Sequence, residues 1–189
     1  IHTLKIKKLL NNYYHLKKIF INQALSLLRN VEGRIDSNQK EKMMNYIKSL
    51  RSMIGTRPII APGSAIIVMS KENELLLQLR SDTKDWGIPG GGMELGDSFE
   101  ETAKKELYEE TGLITNHLEI LGVASGKEFY YKFPHGDEIY NATVIFKASK
   151  VTGNIKKDEE SLELAYFPLD SLPELNYTTQ KILEKIGYI

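Results

Sequence analysis

The pattern of apolar and polar positions changes character near residue 43 of the 189-residue chain. Residues 1–34 place apolar side chains mostly at helical spacing and carry seven Lys or Arg but one acidic residue, Glu32. The pattern predicts a basic helical extension over residues 1–42. It packs on the main domain or a partner subunit, contacts a membrane surface or an acidic partner, or has no role.

The rest of the chain, residues 43–189, carries signals of both helix and strand. Residues 44–55 predict a short helix that ends at Gly55. Two β-type runs, SAIIVMS and ELLLQLR, are separated by KEN and predict a hairpin-like pair. Further β-type runs are LEILGVASG, EFYYKF, IYNATVIFKASKV and LELAYFPLD, and a closing helix is expected after SLPEL. We predict an α/β domain with a mixed sheet, because the apolar faces of a sheet need helices to cover them.

The segment PGGGMELGDSFEETAKKELYEETG, residues 89–112, joins three glycines to an acidic helix. Ser98 and Glu101 have the spacing of a capping box, which predicts that the helix begins at Phe99. Gly112 follows the last turn, where a left-handed residue is favoured. The segment holds seven carboxylates, namely Glu94, Asp97, Glu100, Glu101, Glu106, Glu109 and Glu110.

Three of these carboxylates, Glu106, Glu109 and Glu110, fall within an arc of about 100° on the helix. Like charges three and four residues apart destabilise a helix, and acidic residues near its C-terminus oppose the helix dipole. Clustered carboxylates suit Mg²⁺ or Mn²⁺, and the adjacent glycines allow the backbone to approach a ligand closely. Together these features indicate a phosphate substrate. The neighbouring apolar stripe, which should pack on the sheet, consists of Phe99, Ala103 and Leu107.

Composition narrows the remaining classes of protein. Lys and Arg together number 25, as do Asp and Glu, so net charge favours neither a nucleic-acid partner nor a membrane. The absence of cysteine excludes a thiol nucleophile and fits a reducing cytoplasm. The longest apolar stretch is too short to span a bilayer, and no secretory signal is seen. We therefore expect a cytoplasmic protein with a small-molecule substrate.

The stretch from Gly91 to Leu113 resembles the Nudix box, Gly-x5-Glu-x7-Arg-Glu-U-x-Glu-Glu-x-Gly-U, where U is bulky and apolar. Asp97 stands where Glu is usual, and Lys105 where Arg is usual. The chain is thereby identified as a member of the Nudix hydrolase family over about residues 44–189. The matching positions are Gly91, Glu106, Leu107, Glu109, Glu110, Gly112 and Leu113.

This resemblance implies an α/β/α sandwich that hydrolyses a nucleoside diphosphate linked to another moiety. It also implies that Glu106, Glu109 and Glu110 bind a divalent metal, Mg²⁺ or Mn²⁺, together with the carbonyl of Gly90. Metal-activated water then attacks phosphorus. The general base is a helix glutamate or one on the loop before the last strand, where the candidates are Glu159, Glu160 and Glu163.

The resemblance also implies a bracing role for three residues, and two further residues are candidates for contact with the substrate. Gly91, Asp97 and Lys105 would brace the loop against the helix, more loosely than in the family pattern because lysine cannot form a bidentate fork. Glu94 reaches the metal or substrate, or is an exposed turn residue. Tyr130 lies where a tyrosine marks some dinucleoside polyphosphate hydrolases. Family members are often dimers, which makes a homodimer possible.

Two other functions compete with hydrolysis. A Nudix-fold sensor would bind a nucleotide without cleaving it, but the three intact helix glutamates favour an enzyme. The isoprenoid diphosphate isomerases of related fold use a cysteine, which this chain lacks. The sequence leaves the leaving group open.

Overall fold

The computed structural model describes residues 46–133, 135–158 and 160–189. The predicted extension over residues 1–42 and one candidate base, Glu159, lie outside the described residues, so the boundary near residue 43 stays a prediction. The helices are α1 (Tyr46–Ile54), α2 (Phe99–Thr111) and α3 (Tyr177–Lys185), with a 3-10 turn at Lys127–Phe129. The strands are β1 (Ile59–Val68), β2 (Glu74–Arg80), β3 (Trp86–Gly87), β4 (Gly90–Gly92), β5 (Leu113–Ile114), β6 (His117–Ala124), β7 (Tyr130–Lys132), β8 (Glu138–Ser149), β9 (Thr152–Gly153) and β10 (Ser161–Pro168).

The strands form one mixed and two antiparallel sheets. The larger sheet has the order β4-β1-β8-β6, with β7 also paired to β8. Its β1 and β8 run parallel, whereas the other pairs are antiparallel. A second sheet has the order β10-β2-β3, and β5 pairs with β9. The predicted mixed sheet is therefore confirmed.

The hairpin-like pair predicted from the runs SAIIVMS and ELLLQLR is confirmed only at the turn between them. The two strands belong to different sheets, but an antiparallel bridge joins Met69 and Leu75, and the Ser70 N–H donates to the Glu74 carbonyl at 2.8 Å. Strand β1 pairs with β8 along its length and with β4 at residues 63–65, while β2 pairs with β10 along its length and with β3 at Gln78 and Leu79. Beyond the turn, the two strands therefore take different partners. Short loop length alone does not specify a hairpin when other strands compete for the same backbone groups.

Strands β1 and β2 are buried on both faces, because alternate side chains enter two different cores. The core beneath α3 contains Ala65, Ile67, Leu75 and Leu77, together with Ile182 and Leu183 of that helix. The core beneath α2 contains Ile66, Val68 and Leu76, together with Ala103 and Leu107 of that helix. A helix thus covers each face of the central layer, which confirms the α/β/α sandwich. Among the described residues, no helix is long and apolar enough to cross a membrane.

Helix α2 has the ends that its sequence predicts. The Ser98 hydroxyl accepts a hydrogen bond from the Glu101 N–H at 3.2 Å, and the Glu101 carboxylate accepts one from the Ser98 N–H at 2.8 Å. Gly112 adopts φ 72° and donates its N–H to the Tyr108 carbonyl. At its first turn, the Ser64 hydroxyl of β1 donates to the Phe99 carbonyl at 2.7 Å. Capping and this contact fix how α2 lies on the sheet.

Candidate active site

The strand of three glycines brings the backbone of β4 directly against helix α2. A Cβ atom at Gly91 would lie 2.5 Å from the carboxyl carbon of Glu106, so this carboxyl group rests on the glycine. A Cβ at Gly90 would lie 2.4 Å from the carbonyl oxygen of Ser64, because β4 also pairs closely with β1. Side chains at either position would separate the strand from a neighbour.

The backbone of Gly90 faces helix α2. Its neighbour Pro89 accepts a hydrogen bond from the Ile66 N–H at 2.9 Å, and bonded pairs alternate along an antiparallel ladder. The N–H of Gly90 instead donates to Glu110 Oε2 at 2.8 Å. Since the N–H and carbonyl of one strand residue point to the same edge, the Gly90 carbonyl is directed away from β1 as well.

Glu110 is a buried carboxylate, only 5% exposed. Its second oxygen, Oε1, accepts a hydrogen bond from Nε2 of Gln78 at 3.0 Å. Burial raises the pKa of Glu110 to about 8, opposed by the hydrogen bond from Gly90 and reinforced by the charge of Glu106. The fold therefore holds this carboxyl group in place and leaves its negative charge poorly compensated.

Several other acidic side chains interact electrostatically with Glu106. Burial, together with the charge of Glu109, raises the pKa of Glu106 to about 7, against the opposing charge of Lys105. Glu160 and Glu94 raise the same pKa by smaller amounts. Glu106 therefore interacts with carboxylates from three parts of the chain, namely α2, the loop after β4 and the loop before β10.

The loop before β10 is held in place through its backbone. The Glu160 carbonyl accepts a hydrogen bond from the Ser81 N–H at 2.8 Å, and the Glu160 N–H donates to Asp158 Oδ1 at 3.1 Å. The Glu160 side chain is exposed. Glu163, a second candidate base, is also exposed and lies within β10 opposite Leu79.

Arg80 at the end of β2 supplies positive charge to this region. Burial lowers the pKa of the guanidinium, but the hydrogen bond to Asp82 and the charges of Asp82, Glu110 and Glu160 raise it above its ordinary value. Its Nε and one terminal nitrogen each lie 3.0 Å from an Asp82 oxygen. Sequence reasoning missed both Arg80 and Gln78. The signal available for Gln78 was a polar residue inside the apolar run ELLLQLR.

Two candidate substrate residues contact other parts of the fold. Glu94 Oε2 accepts a hydrogen bond from the Tyr46 N–H at the start of α1, 2.8 Å away. The Tyr130 hydroxyl donates to Glu138 at 2.8 Å, and its ring centroid lies 5.1 Å from that of Tyr140. The charge of Glu94 also raises the pKa of Glu106, whereas the contacts of Tyr130 run along β7 and β8.

The predicted bracing pair is not formed as an ion pair. Asp97 and Lys105 are both described, and no contact within 4.0 Å joins their charged groups. The Asp97 N–H donates to the Glu94 carbonyl at 3.2 Å, which closes a turn in the loop. The bracing role of these two residues stays a prediction.

The donor set suits a hard divalent cation, which takes carboxylate and carbonyl oxygens. In the described part of the chain, no three Asp, Glu or His side chains already converge on one point. Glu109, Glu160 and Glu94 each raise the pKa of Glu106, so these carboxylates repel one another when they are ionised. A cation would remove that repulsion.

Comparison with known proteins gives the class that this geometry belongs to. The model of the NUDIX domain matches residues 60–186. The chain therefore belongs to the Nudix family and is a Nudix hydrolase.

Two relatives named as ADP-ribose pyrophosphatases are similar to this chain in sequence. An ADP-ribose pyrophosphatase of Methanocaldococcus jannaschii is 32% identical over 120 residues, which cover 62% of this chain and 68% of that protein. A putative ADP-ribose pyrophosphatase of Bacillus subtilis is 34% identical over 56% of this chain and 50% of its own length.

Solved structures share the fold. A MutT Nudix hydrolase from Burkholderia pseudomallei has a TM-score of 0.57 at 23% identity, covering 68% of this chain and 97% of the other. The Nudix domain of Shewanella oneidensis NrtR, solved with ADP-ribose, has a TM-score of 0.54 at 18% identity, covering 76% and 97%.

The three glycines of β4 give a graded prediction about stability. Gly90→Ala should lower the free energy of unfolding by about 1–3 kcal/mol, because the new methyl group meets fixed backbone of β1. Gly91→Ala should cost less, since the flexible Glu106 carboxyl can move aside. Gly92→Ala is the matched control, as nothing lies within 4 Å of its Cβ position. Urea unfolding measures all three, and equal losses would contradict the close approach described for Gly90.

Proposed function

We propose that the protein is a Mg²⁺-dependent pyrophosphohydrolase of a nucleoside diphosphate linked to a second moiety. The observation that carries the proposal is the seating of the Glu106 carboxyl on Gly91, among the charges of Glu109, Glu160 and Glu94. A site of this kind favours a cation strongly, and a cation beside accessible backbone suits a substrate with adjacent phosphates.

Glu106, Glu109, Glu110 and the carbonyl of Gly90 would hold the divalent cation. Their oxygen atoms suit Mg²⁺, and Mn²⁺ accepts the same donors. When bound, the cation lowers the pKa of water and screens the charge of phosphate oxygens. The exposure of Glu109 allows it to face substrate, whereas Glu110 is anchored by Gly90 and Gln78.

Glu160 is the general base in this proposal. Its carboxylate takes a proton from the attacking water as the new oxygen–phosphorus bond forms and the bridging phosphorus–oxygen bond breaks. The leaving phosphate departs with the bridging oxygen and its electron pair. The backbone contacts of Glu160 with Ser81 and Asp158 support the role, because a base must be held within reach of its proton. Arg80 contributes positive charge beside the phosphates.

ADP-ribose is the substrate that we propose first. The proteins named as relatives include an ADP-ribose pyrophosphatase and a putative one, and a structural neighbour binds ADP-ribose. Hydrolysis of its pyrophosphate would give AMP and ribose 5-phosphate. A dinucleoside polyphosphate, which the position of Tyr130 predicts, would also contain the required phosphate–phosphate linkage.

A substrate panel tests the activity directly. With Mg²⁺, the purified protein should release AMP from ADP-ribose faster than from nucleotide sugars, dinucleoside polyphosphates or nucleoside triphosphates. EDTA should abolish turnover, and added Mg²⁺ or Mn²⁺ should restore it. Product release is followed by chromatography. Tight ADP-ribose binding with no product from any compound would instead support a nucleotide sensor.

Substitution of the proposed base separates catalysis from binding. Glu160→Gln should lower kcat by about 10²–10⁴-fold, with KM little changed, because the amide cannot take the proton. Glu163→Gln is the matched control, being an equally exposed glutamate three residues further along. The kcat and KM of both variants are measured by steady-state kinetics on the substrate that wild type hydrolyses fastest. Equal activity of Glu160→Gln and wild type would exclude Glu160 as the base.

A further inference from the structure

Gln78 is a polar side chain buried where the chain otherwise places apolar ones. It is 1% exposed and follows Leu75, Leu76 and Leu77, all fully buried, in strand β2. Alternation along the strand puts Gln78 on the same face as Leu76, toward helix α2. Burial of an amide is costly unless both its donor and its acceptor have partners.

Both polar atoms of the Gln78 amide form hydrogen bonds. Nε2 donates to Glu110 Oε1 at 3.0 Å, and Oε1 accepts from the Ser161 hydroxyl at 2.9 Å. Ser161 is itself 4% exposed and begins strand β10. One buried side chain therefore connects three elements, with Glu110 on α2 and Ser161 on β10 both bonded to β2.

Beyond Ser161 the same network reaches the loop that carries Glu160. Asp158 Oδ1 accepts from the backbone N–H groups of Ser161 and Glu160, at 2.9 Å and 3.1 Å. The Ser161 hydroxyl lies 2.7 Å from this oxygen too, so its single proton serves either Asp158 or Gln78. Asp158, Glu160 and Ser161 are thus held to one another by polar contacts.

We propose that Gln78 is a positioning residue, which sets the location of Glu110 relative to the Glu160 loop through Ser161 and Asp158. The inference rests on the proposed function, in which Glu110 holds the cation and Glu160 takes the proton. Small displacements between groups that act on one substrate reduce rates strongly. A side chain bonded to both sides of the site controls that displacement.

A merely structural role would have a different signature. If Gln78 only filled space, its replacement by a residue of similar volume would alter stability and leave catalysis intact in the folded protein. A positioning role predicts the reverse, with a lower kcat at temperatures where the variant is fully folded. Gln78→Met tests this difference because methionine has similar length and no comparable hydrogen-bonding group.

The experiment compares Gln78→Met, Ser161→Ala, the double variant and wild type. Gln78→Met should lower kcat by about 10–100-fold, as loss of a group that orients a metal ligand does elsewhere. KM should change less than kcat. The double variant should lose no more activity than the worse single variant, because both substitutions interrupt one chain of hydrogen bonds.

Gln180→Met is the matched control. Gln180 also donates to a glutamate, Glu184 at 3.1 Å, but on the exposed surface of α3. Its kcat should stay within about twofold of wild type. Circular dichroism melting of every variant identifies the temperature range in which all are folded. If Gln78→Met does not fold, Ser161→Ala carries the test, with a smaller but measurable loss of kcat.

Mn²⁺ binding, followed by electron paramagnetic resonance, separates failure of this inference from failure of the proposed function. Gln78→Met should weaken Mn²⁺ binding by about 10-fold, even if wild type hydrolyses none of the compounds tested. Folded Gln78→Met with wild-type kcat and wild-type Mn²⁺ affinity overturns the inference while leaving the activity standing. A wild-type protein with neither turnover nor Mn²⁺ binding overturns both.

Discussion

The Glu110 carboxylate is buried where helix α2 meets strand β4, and two hydrogen-bond donors hold it in place. The N–H of Gly90 bonds one oxygen and the Gln78 amide bonds the other. Burying a carboxylate without a positive partner is costly, and its raised pKa, about 8, reflects that cost. The surrounding structure has to supply the energy that keeps this group inside.

Much of the neighbouring architecture serves that contact. Strand β4 needs glycine because its backbone lies between β1 and α2 with no room for side chains at Gly90 or Gly91. The apolar faces of α2 and the central strands provide the burial that offsets the cost. Capping at Ser98 and Gly112 fixes the length of the helix, and hence the direction in which its three glutamates project. A bound cation would add compensating positive charge to that of Arg80.

Local sequence signals predicted the parts of this arrangement that depend on neighbouring residues. The capping box, the glycine after the helix and the spacing of Glu106, Glu109 and Glu110 are all read within one segment. These signals are reliable because each is a short-range hydrogen bond or a helical period. The Nudix resemblance extended them to a fold, and the α/β/α sandwich confirms that extension.

Such local signals do not predict contacts between residues that are far apart in the sequence. Gln78 meets Ser161 across 83 positions, and Glu94 meets the start of α1 across 48. The sequence run containing Gln78 indicates a strand but not its partners, so the pairing of β2 with β10 and β3 was not predicted. Asp97 and Lys105 kept the charges of the family pattern, yet their charged groups do not meet. Tertiary contacts decide which strands pair and which polar groups are buried together.

The proposed hydrolysis requires a divalent cation at the junction of α2 and β4, and the presence of the ion there can be measured directly. Crystals grown with Mn²⁺ would reveal the ion by its anomalous scattering. We expect a peak bounded by carboxylate oxygens of Glu106, Glu109 and Glu110 and by the carbonyl of Gly90, at about 2.0–2.3 Å from its nearest ligands. Crystals soaked to saturation that show no peak there, or show the ion bound elsewhere, would contradict the account.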